Sequence, residues 1–166
     1  MSIKDLDATF VNLFLESVED TFNKVLNKEM TRGQLSLRED RMNGHDVAVL
    51  VGITGKNHTG ITVYSMKGDT AERMIQSLDS TYTPATSKDI LYDGLGEVVN
   101  ILSGNAMTLF GENEIDVDMS APSVIAGNAL QLHVPNQVPL SVEMLSEFGT
   151  IEIFVGVKRY QKSGLE

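Results

Sequence analysis

The sequence contains no cysteine, no tryptophan and only three histidines among its 166 residues. The missing cysteines exclude disulfides, a thiol nucleophile and thiolate metal sites together. His45, His58 and His133 lack the i, i+4 spacing of a helical metal pair, so the chain is expected to hold no metal of its own. No apolar run approaches the roughly 18 residues of a membrane span, and Met1 to Asp7 carries acids where a secretory leader would be basic. Positive charge is scarce as well: 13 Lys and Arg stand against 23 Asp and Glu, a formal net charge of -10. That balance disfavours nucleic acid and anionic membranes as partners and favours proteins or cationic molecules. These absences suit a soluble, cytoplasmic protein. A length of 166 residues and a 42% hydrophobic content suit one domain over residues 1–166, with Leu165-Glu166 resembling a vector-derived linker.

Nucleotide and nucleophile signatures are also missing. The Gly52 to Lys56 segment is no phosphate-binding loop, because Leu50 stands where glycine is required and Asn57 where Ser or Thr is. No G-x-S-x-G elbow occurs.

What is present is strong periodicity. Leu6, Phe10, Leu13, Phe14, Val18, Phe22, Val25 and Leu26 recur three or four apart, predicting a long amphipathic helix over Asp5 to Met30. Its apolar stripe drifts around the axis, so the helix must bend or serve more than one neighbour. Leu35 to Glu39, Asp46 to Thr54 and Thr59 to Met66 read as strands, the last two as a hairpin. Gly68 to Asp79 returns to helical spacing, and Ser80 to Ser87 is a loop. Ser87 caps a second long helix, supported by Asp89 and stopped by Gly111. Four strands follow, at Glu114 to Ser120, Ala129 to Val134, Pro139 to Leu145 and Thr150 to Tyr160. The order indicates an α+β domain with mostly antiparallel strands.

The helix from Ser87 to Phe110 carries the chemistry. With Asp93 at zero on a helical wheel, Leu91, Leu95, Val98, Leu102, Ala106 and Leu109 fall between about 140° and 220° and form the core face. Within about 40° of zero lie Asp93, Glu97, Asn100, Gly104 and Met107. An outward polar stripe is by default only a solvated face. The glycines are less ordinary: Gly94, Gly96 and Gly104 each forgo about 1 kcal/mol of helix propensity relative to Ala. Close approach of another backbone to Glu97 and Asn100 would account for that. Glu97 can hold a partner's Lys, and the Asn100 amide can donate and accept at once, which suits it to orienting water better than to acting as a base.

Asp93-Gly94-Leu95-Gly96-Glu97-Val98-Val99-Asn100 resembles the acid-or-serine, x3, Glu, x2, Asn signature of the CheC, CheX and FliY phosphatases, which act on the phosphorylated chemotaxis response regulator CheY. Pro122 resembles the downstream proline of that pattern, at a spacing one residue shorter than the family's. The hairpin Val49 to Met66 is also similar, so the likeness runs from about Val47 to Gly127. CheC-type proteins carry the signature on two helices, which makes the CheX type the closer likeness. The first helix holds only an echo, Glu16, Asp20 and Asn23, with Asp replacing Glu and no matching proline. That echo is either a second site, a solvated face or the decayed half of a duplication.

The resemblance implies a CheC/CheX-like fold with long helices packed on a mostly antiparallel sheet. It also implies a phosphatase whose catalytic residues are Glu97 and Asn100, with Asp93, Gly104 and Pro122 contacting the substrate protein. Asp93 and Gly104 could equally be a solvated residue and a spacer. The phosphorylated Asp and its Mg²⁺ would belong to the receiver, so no cofactor is needed. A homodimer is implied too, with Thr150 to Tyr160 as its pairing edge. The rival expectations are a non-catalytic CheX-like adaptor in chemotaxis or flagellar signalling, and a small-molecule enzyme, for which no constellation of residues speaks.

Overall fold

A computed structural model describes residues 7–37, 45–134 and 139–160. Helix α1 spans Ala8–Leu26, α2 Gly68–Leu78 and α3 Lys88–Glu112. The strands are β1 (Thr31–Leu37), β2 (His45–Gly55), β3 (His58–Met66), β4 (Val117–Met119), β5 (Ser123–Leu130), β6 (Leu140–Ser146) and β7 (Gly149–Arg159). All seven form one sheet in the order β1-β6-β7-β3-β2-β4, with β5 also paired to β2, and every pairing is antiparallel. The α+β architecture with long helices on an antiparallel sheet is as expected.

The helices start and stop for local reasons. Asp7 caps α1, its Oδ1 accepting the Phe10 N–H at 3.1 Å, and Asn27 ends the helix in the left-handed region. Asp46 Oδ2 on β2 accepts the Gly68 N–H at 3.0 Å and so caps α2. Ser87 Oγ caps α3 by accepting the Asp89 N–H. Gly111 does not end α3: the helix runs to Glu112, Asn113 Nδ2 donates to the Leu109 carbonyl at 2.8 Å, and Glu114 reverses the chain at φ 60. A side-chain amide and a left-handed residue do there what a glycine was expected to do.

All three helices lie on one face of the sheet, over Val47, Val49, Val51, Ile53, Tyr64, Ile151, Ile153 and Val155. The drifting stripe of α1 serves several neighbours. Phe10 stacks on Phe110 of α3 with centroids 4.3 Å apart, Phe14 lies 6.4 Å from Tyr64 of β3, and Phe22 meets Phe148 edge-on. Burying each such ring stabilises the fold by about 2–3 kcal/mol.

Four strand expectations change, the first being Glu114 to Ser120, of which only Val117–Met119 is strand because Glu114 turns the chain at φ 60. β1 begins at Thr31, nearer α1 than Leu35, and the expected end at Glu39 lies outside the described residues. Ala129 to Val134 is not a strand beyond Leu130; β5 instead occupies Ser123–Leu130, where a loop was expected. Its residues are mostly exposed, so it carries no burial periodicity and exists through backbone pairing to β2. Finally, β7 is flanked by β6 and β3 and buried on both faces, which removes Thr150 to Tyr160 as a pairing edge. Its long apolar alternation reflects a central strand.

Candidate functional site

α3 is anchored by Leu91, Leu95, Val98, Val99, Leu102, Ala106 and Phe110, all buried. The buried face is broader than the wheel predicts and leaves Leu109 half-exposed, because α3 meets α1, α2, β2, β4 and β5. Asn105 Nδ2 donates to Thr21 Oγ1 of α1 at 3.2 Å, fixing the rotation of α3 against its neighbour. That rotation turns Asp93, Glu97 and Asn100 outward as one exposed row. Among the described residues, no hydrogen bond or ion pair engages any of the three side chains.

The row borders a shallow depression of about 500 Å³. Its α3 side is Tyr92, Asp93, Gly96, Glu97 and Asn100; its far wall is Ala121, Pro122 and Val124, at the joint between β4 and β5. Four of the five anticipated site residues, Asp93, Glu97, Asn100 and Pro122, therefore come together, although Pro122 is distant in sequence. Gly104 is on the same helical face but outside the depression.

The glycines of α3 divide by role. A Cβ at Gly94 would meet Ile75 of α2 at 3.0 Å, so this glycine serves helix-helix packing inside the fold and not the approach of a partner. A Cβ at Gly96 or Gly104 would meet nothing within 4 Å. At Gly96 the missing side chain opens the depression beside Glu97. Tyr92, Ala121 and Val124 are lining residues that sequence reasoning passed over. Tyr92 could have been found on the wheel, on the Gly96 side of the stripe, whereas Ala121 and Val124 carried no signal.

The chemistry of the depression is narrow: two carboxylates, one carboxamide and a phenol, with no nucleophile beside a base. Among the described residues no group of three or more His, Asp or Glu is placed to hold a metal ion. His58 Nε2 donates to Asp7 Oδ2 at 2.9 Å and its ring stacks on Phe10, while His45 Nδ1 lies 2.6 Å from Ser65 Oγ. Both imidazoles belong to the scaffold. Burial opposes ionisation of Asp7, but the hydrogen bonds from His58 and the Phe10 amide outweigh it and hold its carboxyl below the ordinary value. No helix of the described residues is long and apolar enough to cross a membrane.

An open, acidic, amide-bearing surface of this kind suits a protein that acts on another macromolecule, since it encloses no small substrate. The comparisons with known proteins agree in class. Residues 47–144 match the family model described as chemotaxis phosphatase CheX, more than half of the chain, and the chain belongs to that family. The CheY-P phosphatase CheX of Thermotoga maritima is 25% identical over 146 residues, covering 86% of this chain and 94% of that protein. Among solved structures, a CheC-like superfamily protein from Shewanella sp. PV-4 superposes with a TM-score of 0.82 at 21% identity, over 92% of this chain and 99% of that one. A CheX-CheY-BeF3-Mg²⁺ complex from Borrelia burgdorferi gives a TM-score of 0.75 at 23% identity, over 90% and 98%.

Proposed function

We propose that the protein accelerates hydrolysis of the aspartyl-phosphate on a CheY-like receiver domain. The observation that carries this reading is the row of exposed, unpaired Glu97 and Asn100 facing Pro122 across an open depression. Glu97 pairs with a Lys at the receiver's active site. Asn100 enters that site, its amide oxygen accepting from a water and its NH₂ donating to the phosphoryl group, so that the water stands in line with phosphorus. Water then attacks phosphorus, the bond from phosphorus to the aspartyl oxygen breaks, and orthophosphate and the free carboxylate leave. The Mg²⁺ that neutralises the phosphoryl oxygens is the receiver's. Asp93 adds negative charge beside Glu97. Membership of the CheX family supports the reading, as does the crystallised association of the Borrelia relative with CheY.

A homodimer belongs to the same proposal. Since β7 is internal, the sheet's edges are β1 on one side and β4 with β5 on the other. The latter borders the depression, which leaves β1 as the edge for a second copy. A sedimentation mass of twice 18.2 kDa supports this, and 18.2 kDa overturns it.

The test of function is the decay rate of phosphorylated receivers with and without the protein. Acceleration that Asn100→Ala reduces on the order of 100-fold or more, with binding retained, is expected. Glu97→Ala should chiefly weaken binding. Tight binding of a beryllofluoride-loaded receiver without faster decay would select the adaptor instead.

A further inference from the structure

Ile53 of β2 pairs with Met119, and Leu50 with Ser123. Between those pairs two residues of β2, Val51 and Gly52, oppose three of the adjoining chain, Ser120, Ala121 and Pro122. This is a β-bulge, a device that redirects a strand. In an unbroken antiparallel ladder, Ser120 and Gly52 would exchange two backbone hydrogen bonds. One is present, from the Ser120 N–H to the Gly52 carbonyl at 2.9 Å. The other is replaced: the Gly52 N–H donates to Ser120 Oγ at 2.8 Å, and that hydroxyl donates in turn to the Ala121 carbonyl at 3.2 Å. A side chain thus stands in for a main-chain acceptor at the point where Ala121 and Pro122 leave the sheet to become the far wall of the depression. One hydroxyl satisfies the interrupted ladder and ties the wall to it.

We propose that Ser120 is a positioning residue for receiver docking: its hydroxyl holds Ala121 and Pro122 at a set distance from Glu97 and Asn100, and so fixes the width of the docking depression. The proposal rests on the receiver-phosphatase reading. Ser120 does not line the depression and acts through the wall. A serine that only stitched β4 to β2 would, when removed, lower stability and leave docking intact.

The experiment compares wild type, Ser120→Ala and Ser120→Thr for affinity toward a receiver loaded with beryllofluoride and Mg²⁺, for KM and kcat of phospho-receiver decay, and for thermal midpoint. Ser120→Ala should weaken binding and raise KM roughly tenfold at unchanged kcat, while Ser120→Thr, which keeps the hydroxyl, should stay within about twofold of wild type. Native affinity in Ser120→Ala, or equal impairment of both variants, overturns the proposal. Should Ser120→Ala fail to fold, Ser120→Cys, which fills the same space with a much poorer hydrogen-bond acceptor, carries the test: a raised KM at native kcat supports a wall held by the hydroxyl, and a native KM overturns it. A wild type that accelerates decay beside a normal Ser120→Ala sinks the Ser120 role alone. A wild type that neither binds nor dephosphorylates any receiver sinks the receiver reading, and this proposal with it.

Discussion

Glu16, Asp20 and Asn23 on α1 repeat, at the same i, i+4, i+7 spacing, the acid, acid and amide of Asp93, Glu97 and Asn100 on α3. Both rows are exposed, and the two helices pack against each other on one face of the sheet. Their surroundings differ. On α1, Asp20 is engaged by Lys24 at 2.7 Å and the adjacent Glu19 by Arg32. The α3 carboxylates have no such partners among the described residues. The depression that borders the α3 row is lined by Gly96 on the helix and by a bulged wall opposite, and no α1 residue lines it. Acid, acid and amide at one spacing therefore border a depression on α3 and do not border it on α1. The difference lies in what stands across from them: a partner loop needs a wall to register against and a gap to enter, and an exposed stripe offers neither.

That contrast can be broken in several places. The largest effect should come from Gly96→Leu, which fills open space beside Glu97. Receiver dephosphorylation should fall by roughly 100-fold, while stability rises by up to about 1 kcal/mol because a helical glycine has been replaced. A loss of both together would mean that the side chain disturbs packing and that Gly96 is no entrance. On α1 the response should be the reverse. Asp7→Ala removes the helix cap and the His58 contact and should cost about 1–2 kcal/mol by denaturant titration, with kcat for receiver dephosphorylation unchanged.

Part of the Asp7 contribution depends on pH. Its folded carboxyl is held below 3.8, so the contribution is complete well above that value and disappears as pH falls through the lower folded value. Asp7→Asn keeps a competent cap and should flatten the acid limb of the stability curve without shifting the neutral plateau by as much as Ala does. A smaller change is expected at Gly104→Ala: a gain of about 0.5–1 kcal/mol in stability, and a weaker effect on receiver affinity than Gly96→Leu, since Gly104 lies outside the depression. An equal effect would extend the receiver's footprint a full turn beyond Asn100. The smallest is the Asp20→Ala, Asn23→Ala double variant, in which dephosphorylation should match wild type; a measurable loss would make α1 a second site and end the contrast.

Helix α3 was legible in detail because the signals are local. Ser87 caps it, Leu91, Leu95, Val98 and Leu102 declare its buried side, and the signature residues then have to face outward. β5 was not legible. An edge strand exposed along most of its length buries too little to show a period of two, and its pairing with β2 is a long-range backbone matter. β7 misled for the opposite reason: a long apolar strand looks alike in a sheet's centre and at an edge until its neighbours are placed. Gly94 and Gly96 are indistinguishable in the sequence, two residues apart in the same helix. Only the position of Ile75 on α2 shows that one makes room for the fold and the other leaves room outside it.

The sequence by itself determined the class of chemistry. Without cysteine, without paired histidines and without a nucleophile motif, but with a Glu and an Asn one turn apart on a glycine-rich helix, the residues offer a charge for pairing and an amide able to orient water, and the phosphoryl target came from the resemblance of Asp93 to Asn100 to the CheC, CheX and FliY signature. Periodicity and side-chain chemistry are properties of short segments, so they survive without coordinates. What stands opposite those residues was decided by the tertiary structure. The wall opposite Asn100 is assembled from a bulge held by Ser120 Oγ on Gly52, residues 68 positions apart that meet only when β2 and the β4–β5 joint are laid side by side.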